Sequence, residues 1–432
     1  MLGGYLTKVV AEQVNNPRAR SSSSIVGLLR APSVTPFIAA SALFYLGLAI
    51  QVTTLGKQVY DITRRELDIG WLGLAEFLPI ALLVFVTGAV ADRFNRKHVA
   101  MLAISVELVS TLLLTWYAST APTAVFPIFV IAVLYGTSRG FVAPSMRPMA
   151  AMIAPAGRLP QMIGLYSTMW TAAAIIGPAS SGFLYSVHPS LAFGAGACAV
   201  AVAIISLSRV QLIAPATPPA ARERPSLRSA MEGLRFIRAT PILFAAIALD
   251  LFAVLFGGAV ALLPVIATER LGVGDVAYGW LRAAAGIGAG ITAVTLSIRP
   301  LRRRVGPMLL AAVAVFGAAT IVLGLTRTYW IAFLAVIVIH GADMVSVVIR
   351  SSIVPLATPD DKRGRVTAVE NVFIGATNEL GAFKSGVSAE LVGVPITIVG
   401  GGIATLGIVG VWWKKFVSLR RIDRFDDVTR VG

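Results

Sequence analysis

Gly88-Ala-Val-Ala-Asp92-Arg93-Phe-Asn-Arg96-Lys97 is a knot of charge set between two apolar runs, 69–90 and 99–120. Each run has the roughly 20 residues that a helix needs to cross ~30 Å of hydrocarbon. A basic link this short between two such runs reads as a turn at a membrane surface. Outward from it the same alternation fills the chain, with further spans at 35–60, 125–147, 161–187, 191–207, 241–267, 275–298, 307–325, 329–355, 366–391 and 394–413. Composition agrees: of 432 residues, 56% are hydrophobic and only 13% charged, about half the charge density of soluble domains. Disorder, collagen and a disulfide scaffold are excluded, the last because Cys198 stands alone. The fold class is an all-α membrane protein of twelve transmembrane helices.

The net charge of +16 would point to nucleic acid in a soluble protein. Its distribution points elsewhere. With the N-terminus inside, the cytoplasmic segments hold 28 of the 37 lysines and arginines, and the external loops hold only Arg64, Arg65, Arg270 and Arg327. That bias is the positive-inside rule, and it predicts both termini in the cytoplasm. Trp412-Trp413-Lys414-Lys415 closes the last span with the aromatic-then-basic order of a headgroup boundary. Leu2–Val10 is short, lacks preceding basic residues and does not read as a signal peptide.

One connection is long. Residues 208–240 open with the breaker cluster 214–222 and close with a predicted helix over 225–238, whose Leu227, Met231, Leu234 and Ile237 form one apolar stripe. With Arg228, Arg235 and Arg238 placed for anionic headgroups, the helix is expected to lie flat beneath the membrane. The chain therefore divides into a tail (1–34), a six-span bundle (35–207), the linker (208–240), a second six-span bundle (241–413) and a tail (414–432). The bundles echo one another. Ile176-Gly-Pro-Ala-Ser-Ser-Gly182 matches Leu380-Gly-Ala-Phe-Lys-Ser-Gly386, and the charged turn 91–101 matches 298–308 at nearly the same offset. Ordered matches of this kind argue for duplicated units related by an axis along the membrane normal.

The motif at 88–97 resembles the loop 2–3 signature of the major facilitator superfamily, Gly-x-x-x-Asp-Arg-x-Gly-Arg-Lys, with Asn95 where Gly is usual. The resemblance implies that Asp92 is a conformational latch between rocking halves, with Gly88 at a helix contact and Arg93, Arg96 and Lys97 anchoring the turn. Gly177-Pro178-Ala-Ser-Ser181-Gly182 looks like the fifth-helix motif of the superfamily's exporters, with Ser181 at the first of the paired Gly positions. On residues alone it is a small-residue seam with a proline bend. Val59-Tyr-Asp-Ile-Thr63, Glu76-Phe-Leu-Pro79, Gly136-x-x-x-x-Phe141-x-x-Pro144 and 363–369 followed by Asn378-Glu-Leu-Gly381 resemble the enterobactin-exporter-like group, which also includes drug exporters.

A charge at mid-bilayer costs roughly 3 kcal/mol on insertion scales, so each is a site candidate that needs a partner. Asp343 shares a face of the tenth span with His340 and Arg350, and Glu379 lies midway along the eleventh with Lys384 one turn on. Two readings stand side by side: Asp343 as the proton- or cation-coupling carboxylate, or Asp343, Arg350, Glu379 and Lys384 as a mutually neutralising network. Glu107 and Arg139 lie at equal depth in the third and fourth spans and are expected to pair. Glu76 suits a gate or proton entry, and Asp250 awaits a basic partner. Lys57 and Arg282, near the external ends of their spans, suit an outer gate or the attraction of an anionic cargo. Gln51, Thr54 and Gln58 are expected to line a cavity.

No P-loop, Ser elbow or His/Cys metal cluster occurs, so neither cofactor nor metal is expected. The implied function is secondary active transport by alternating access, with proton-coupled export of a siderophore or drug-like molecule ahead of import, facilitation or lipid flipping. An enzyme or receptor lacks any supporting constellation. The expected partners are a small-molecule substrate, protons and the bilayer, not nucleic acid. The chain is expected to act as a monomer in a bacterial inner membrane.

Overall fold

The computed structural model describes residues 25–212 and 227–428. The breaker cluster 214–222 and the first 24 residues lie outside them. Among the described residues twelve long helices run up and down: Val34–Thr63, Glu66–Arg93, Arg96–Ser119, Phe126–Ile153, Leu159–Val187 and Pro189–Ser208 in the first half. The second half contains Pro241–Gly257, Asp275–Ile298, Val305–Leu325, Tyr329–Leu356, Asp360–Val392 and Val394–Lys415. Ten are long and apolar enough to span a bilayer by composition alone. The fifth and eleventh are as long but more polar, and each packs on a helix of the other half. The chain is a multi-pass membrane protein of two six-helix bundles.

Local chemistry fixes many of the boundaries. Proline occupies the first turn of the fourth, fifth, sixth, seventh and twelfth helices, where its missing N–H costs nothing. Asn95 caps the third, its side chain accepting from the Lys97 N–H at 3.0 Å. Asn at this position therefore gives the turn a cap. Most helices outrun the expected spans, by up to six residues, because polar turns such as 360–365 are helical outside the hydrocarbon. The seventh departs differently. It breaks at Gly258, passes through a 3-10 turn, Ala259–Leu262, and ends in a π turn, Ile266–Arg270.

Each bundle has its own core. Phe37, Phe44, Ile104, Met146 and Val200 sit in one, and Leu243, Leu309, Ile349 and Leu419 in the other. A third cluster joins Tyr60 and Ile69 of the first half to Leu262, Tyr278 and Val336 of the second. Between the halves, the fifth helix packs on the eighth and the second on the eleventh. The linker helix, Leu227–Ala239, packs on protein. It is seated on the eleventh span, with Arg365 3.0 Å from Glu232, the Lys362 ammonium 4.6 Å from the Phe236 ring centre and Ile237 buried. Met231, part of the expected stripe, is instead half-exposed.

Candidate functional site

The two ends of the helical array differ. One face carries the outer ends of the described residues and the linker helix: Ser33 bonds Gln211, and the Lys97 ammonium donates to the carbonyls of Ser208 and Val210 at 2.6 and 2.7 Å. At the opposite face the halves are drawn together. Lys57 of the first span lies 2.6 Å from Asp61 and 3.1 Å from Asp275 of the eighth. The Tyr185 hydroxyl donates to Asp61 at 2.8 Å, and Tyr60 bonds Glu269 across the halves. Arg65 reaches Glu390 at 3.3 Å, and the Tyr278 hydroxyl donates to the Thr53 carbonyl at 3.2 Å. The sequence reading placed Lys57 at an outer gate but missed Asp61, Asp275, Glu269 and Glu390. The only local signal was the Tyr-Asp pair at 60–61.

Small residues make this closure tight. A Cβ on Gly182 would stand 2.6 Å from the Asp275 carbonyl oxygen of the other half, while Gly177 packs the fifth span on the first within one bundle, where a Cβ would stand 2.5 Å from the Ala49 methyl. Ser181 is buried, its hydroxyl 2.8 Å from that of Thr54. The repeat partner of Gly182, Gly386, makes the corresponding contact on the other side: a Cβ there would stand 2.8 Å from the Glu66 carbonyl oxygen. At the terminus-bearing face, by contrast, Gly364 has open space around it. Asp92 there is half-exposed and pairs within its own turn with Arg96 at 2.9 Å. Arg93 lies against the neighbouring Phe94 ring, and Gly88 is half-buried just inside the span.

Beneath the Tyr278–Thr53 contact lies a cavity of about 270 Å³ between the bundles, walled by Tyr45, Trp170, Pro178, Arg139, Arg282 and His340 among others. Gln51, Thr54 and Gln58 do not line it. Gln51 turns into the first bundle, where Thr111 donates to its side-chain carbonyl, and Thr54 is held by Ser181. Gln58 faces a separate surface recess with Asp61 and Tyr185. Polar residues on the first span are therefore spent mostly on packing inside its own half, and Thr53 is the one that reaches the cavity.

The intramembrane charges also regroup. Arg139 pairs with Glu76 at 3.2 Å, not with Glu107. The cause is helix rotation: a Cβ on Gly136 would stand only 2.0 Å from the Glu76 carbonyl oxygen, so the second and fourth spans touch backbone to backbone. Arg139, three residues on, shares that face. Both oxygens of the fully buried Glu107 carboxylate lack a hydrogen-bond partner among the described residues. Glu379 comes from the other bundle to the same place, its Oε2 2.9 Å from where a Cβ on Gly73 would stand. The expected network of Asp343, Arg350, Glu379 and Lys384 is split. Arg350 is buried between Asp250 at 2.9 Å and Glu370 at 3.5 Å, and Lys384 donates to the Phe256 carbonyl at 3.1 Å. Asp343 has no ion pair among the described residues.

Two helical bundles that meet around one central cavity, sealed at one face and parted at the other, define a membrane transporter of the alternating-access class. The Major Facilitator Superfamily model matches residues 35–382, and the chain belongs to that family. It is 27% identical over 391 residues to the uncharacterized MFS-type transporter YfiS of Bacillus subtilis, covering 86% of this chain and 90% of that one. It is 26% identical to the multidrug efflux pump Tap of Mycolicibacterium fortuitum (87% and 94% covered) and 27% identical to the enterobactin exporter EntS of Escherichia coli (86% and 89%). Among solved structures, a bacterial homolog of the human lysosomal transporter Spinster superposes with a TM-score of 0.66 at 15% identity, covering 92% of this chain and 96% of that one. That likeness concerns the fold.

Proposed function

We propose that this transporter is a proton-coupled exporter of small organic molecules, acting as a monomer in a bacterial inner membrane with both termini in the cytoplasm. The observation that carries the reading is the meeting of Glu76, Arg139 and Glu379. Glu76 holds the Arg139 guanidinium at 3.2 Å, and Glu379 of the other bundle lies against Gly73, one turn before Glu76 on the same span, at the interface that must part and re-form during transport. A proton taken up by either carboxylate changes the charge balance across that interface. Proton binding and bundle separation are then linked, as any ligand that favours one of two conformers shifts their populations. Glu76, not Asp343, is the primary coupling group in this reading, because no ion pair joins Asp343 to the other bundle among the described residues.

The charge bias of the loops supports the cytoplasmic termini, so the conformation described is open to the cytoplasm. The efflux relatives and the Gly177–Gly182 seam support the outward direction. Proteoliposomes with an imposed pH gradient test the proposal, with ethidium and 2,3-dihydroxybenzoate as cargo probes. Uphill movement of a probe should follow the proton gradient, and Glu76→Gln should abolish that accumulation while leaving downhill exchange within about threefold. An Asp343→Asn variant should retain it. Flux indifferent to both pH gradient and membrane potential overturns proton coupling, and gradient-driven uptake in the inward direction overturns export.

A further inference from the structure

The central cavity bears on the charge of the cargo. Its wall holds two guanidiniums and one imidazole, and no carboxylate. Arg139 is engaged by Glu76. Arg282 of the eighth span is not comparably engaged. Its Nη1 donates to the Val260 carbonyl at 3.1 Å, and no carboxylate among the described residues lies within ion-pairing distance of it. His340 of the tenth span lines the same cavity, and its Nε2 is buried with no hydrogen-bond partner among the described residues. A cation without a direct carboxylate partner and an unpartnered imidazole nitrogen facing one cavity in a membrane interior are costly, by several kcal/mol for a charge. Glu76 and Glu379 act on Arg282 only from beyond ion-pairing distance, Glu76 being held by Arg139 at 3.2 Å and Glu379 lying against Gly73.

The opposite wall is aromatic. Tyr45 and Trp170 meet edge to face with ring centres 5.0 Å apart, and Trp170 is 52% exposed, leaving indole surface available for stacking. Small residues, Ala49, Ala174 and Gly286, separate the two walls. A volume of about 270 Å³ is at the lower limit for organic ligands, enough for a fused-ring compound.

We propose that the cavity binds an organic anion bearing an aromatic ring, its carboxylate or sulfonate held by Arg282 and His340 and its ring against Trp170 and Tyr45. This rests on the transporter reading and adds to it the charge class of the cargo.

Three probes that differ in one substituent test it: 1-naphthoate, 1-naphthalenemethanol and 1-naphthylmethylamine, titrated calorimetrically into the purified full chain. Naphthoate should bind at least about tenfold more tightly than the alcohol, the usual range for a hydrogen bond to a charged group, and the amine should bind more weakly than the alcohol. Arg282→Gln should remove that preference while leaving the alcohol within about twofold. Arg282→Lys and His340→Ala, each of which changes one donor, should each reduce it about threefold, so the proposal stands or falls even if Arg282→Gln does not fold. Equal binding of all three probes, a naphthoate preference that survives these substitutions, or no saturable naphthoate binding at millimolar concentration overturns it. Proteoliposome flux separates this from the export reading. Naphthoate that binds in an Arg282-dependent way but is not moved by a proton gradient supports the anion site and overturns coupled export. Amine that binds best and is exported overturns the anion site alone.

Discussion

Gly182 of the fifth span and Gly279 of the eighth lie backbone against backbone: a Cβ on Gly182 would stand 2.8 Å from Gly279 Cα, and one on Gly279 would stand 2.7 Å from Gly182 Cα. The contact joins the two bundles at the closed face, and neither backbone has a flexible end that can move aside. Ordinarily Gly→Ala in a helix gains about 1 kcal/mol from propensity. Here the added methyl overlaps only while the halves are closed at this face. Gly182→Ala is therefore expected to leave each bundle folded and to shift the conformers at least about tenfold toward the form open at this face. Double electron–electron resonance between labels at the opposite-face ends of the fifth and eighth spans, in a Cys198→Ser background, reads the shift directly. A distance distribution like that of the parent would mean that the glycine contact does not hold the seal.

Glu107 makes a prediction of the reverse kind. A fully buried carboxylate with no hydrogen-bond partner gains nothing from being charged, so Glu107→Gln should leave the thermal denaturation midpoint unchanged or raise it. A fall of more than about 5 °C would show that its charge is paired after all, with Arg139 as the nearest candidate. The same substitution at Glu76, which does hold Arg139, is expected to lower the midpoint.

Arg350 anchors the strongest buried charge group. It is 4% exposed and holds Asp250 and Glu370 together, so its removal leaves two carboxylates facing one another in the bundle. Breaking a buried pair by deleting one partner costs about 3–5 kcal/mol. Arg350→Met should accordingly lower the midpoint in detergent by about 6–12 °C, and adding Asp250→Asn should recover part of the loss. Additive losses in the double variant would argue against the pairing.

What could be read from the chain and what could not divide along physical lines. The charged turn at 88–97 and the repeat that pairs Gly182 with Gly386 are local patterns, and both landed where spacing placed them. Arg139 was harder. Depth along a helix follows from counting residues, but the partner depends on rotation about the helix axis, and both Glu76 and Glu107 approach the arginine. Rotation is set by the closest backbone approach, and Gly136 marks it. The signal was a glycine three residues before the arginine. Lys57 and Asp275 are joined across more than two hundred residues, and no short-range pattern reports such a pair. Gln51 and Thr54 misled because a polar residue on a cavity helix has two polar directions, one toward the cavity and one into its own bundle.

If Asp92 serves as the latch that the loop signature implies, the conformer described here has it released. It pairs with Arg96 in its own turn and is exposed, while the start of the eleventh helix stands free of it. In the alternate conformer, closed at the terminus-bearing face, a carboxylate brought to that helix start gains about 0.3–1 kcal/mol from the dipole. Asp92→Asn should therefore favour the conformer described here by roughly two- to fivefold and slow transport, with probe affinity in this conformer unchanged. Labels on the terminus-bearing ends of the second and eleventh spans report it, and an unchanged distance distribution would leave Asp92 an ordinary loop charge.

The linker helix is bolted to the eleventh span through Arg365–Glu232 and Lys362–Phe236. A helix fixed in this way is not slack rope between two moving bodies but part of one of them. Because its seat is the first turn of the eleventh span, any force or ligand applied to the linker is delivered as a lever to the end that Asp92 would have to reach.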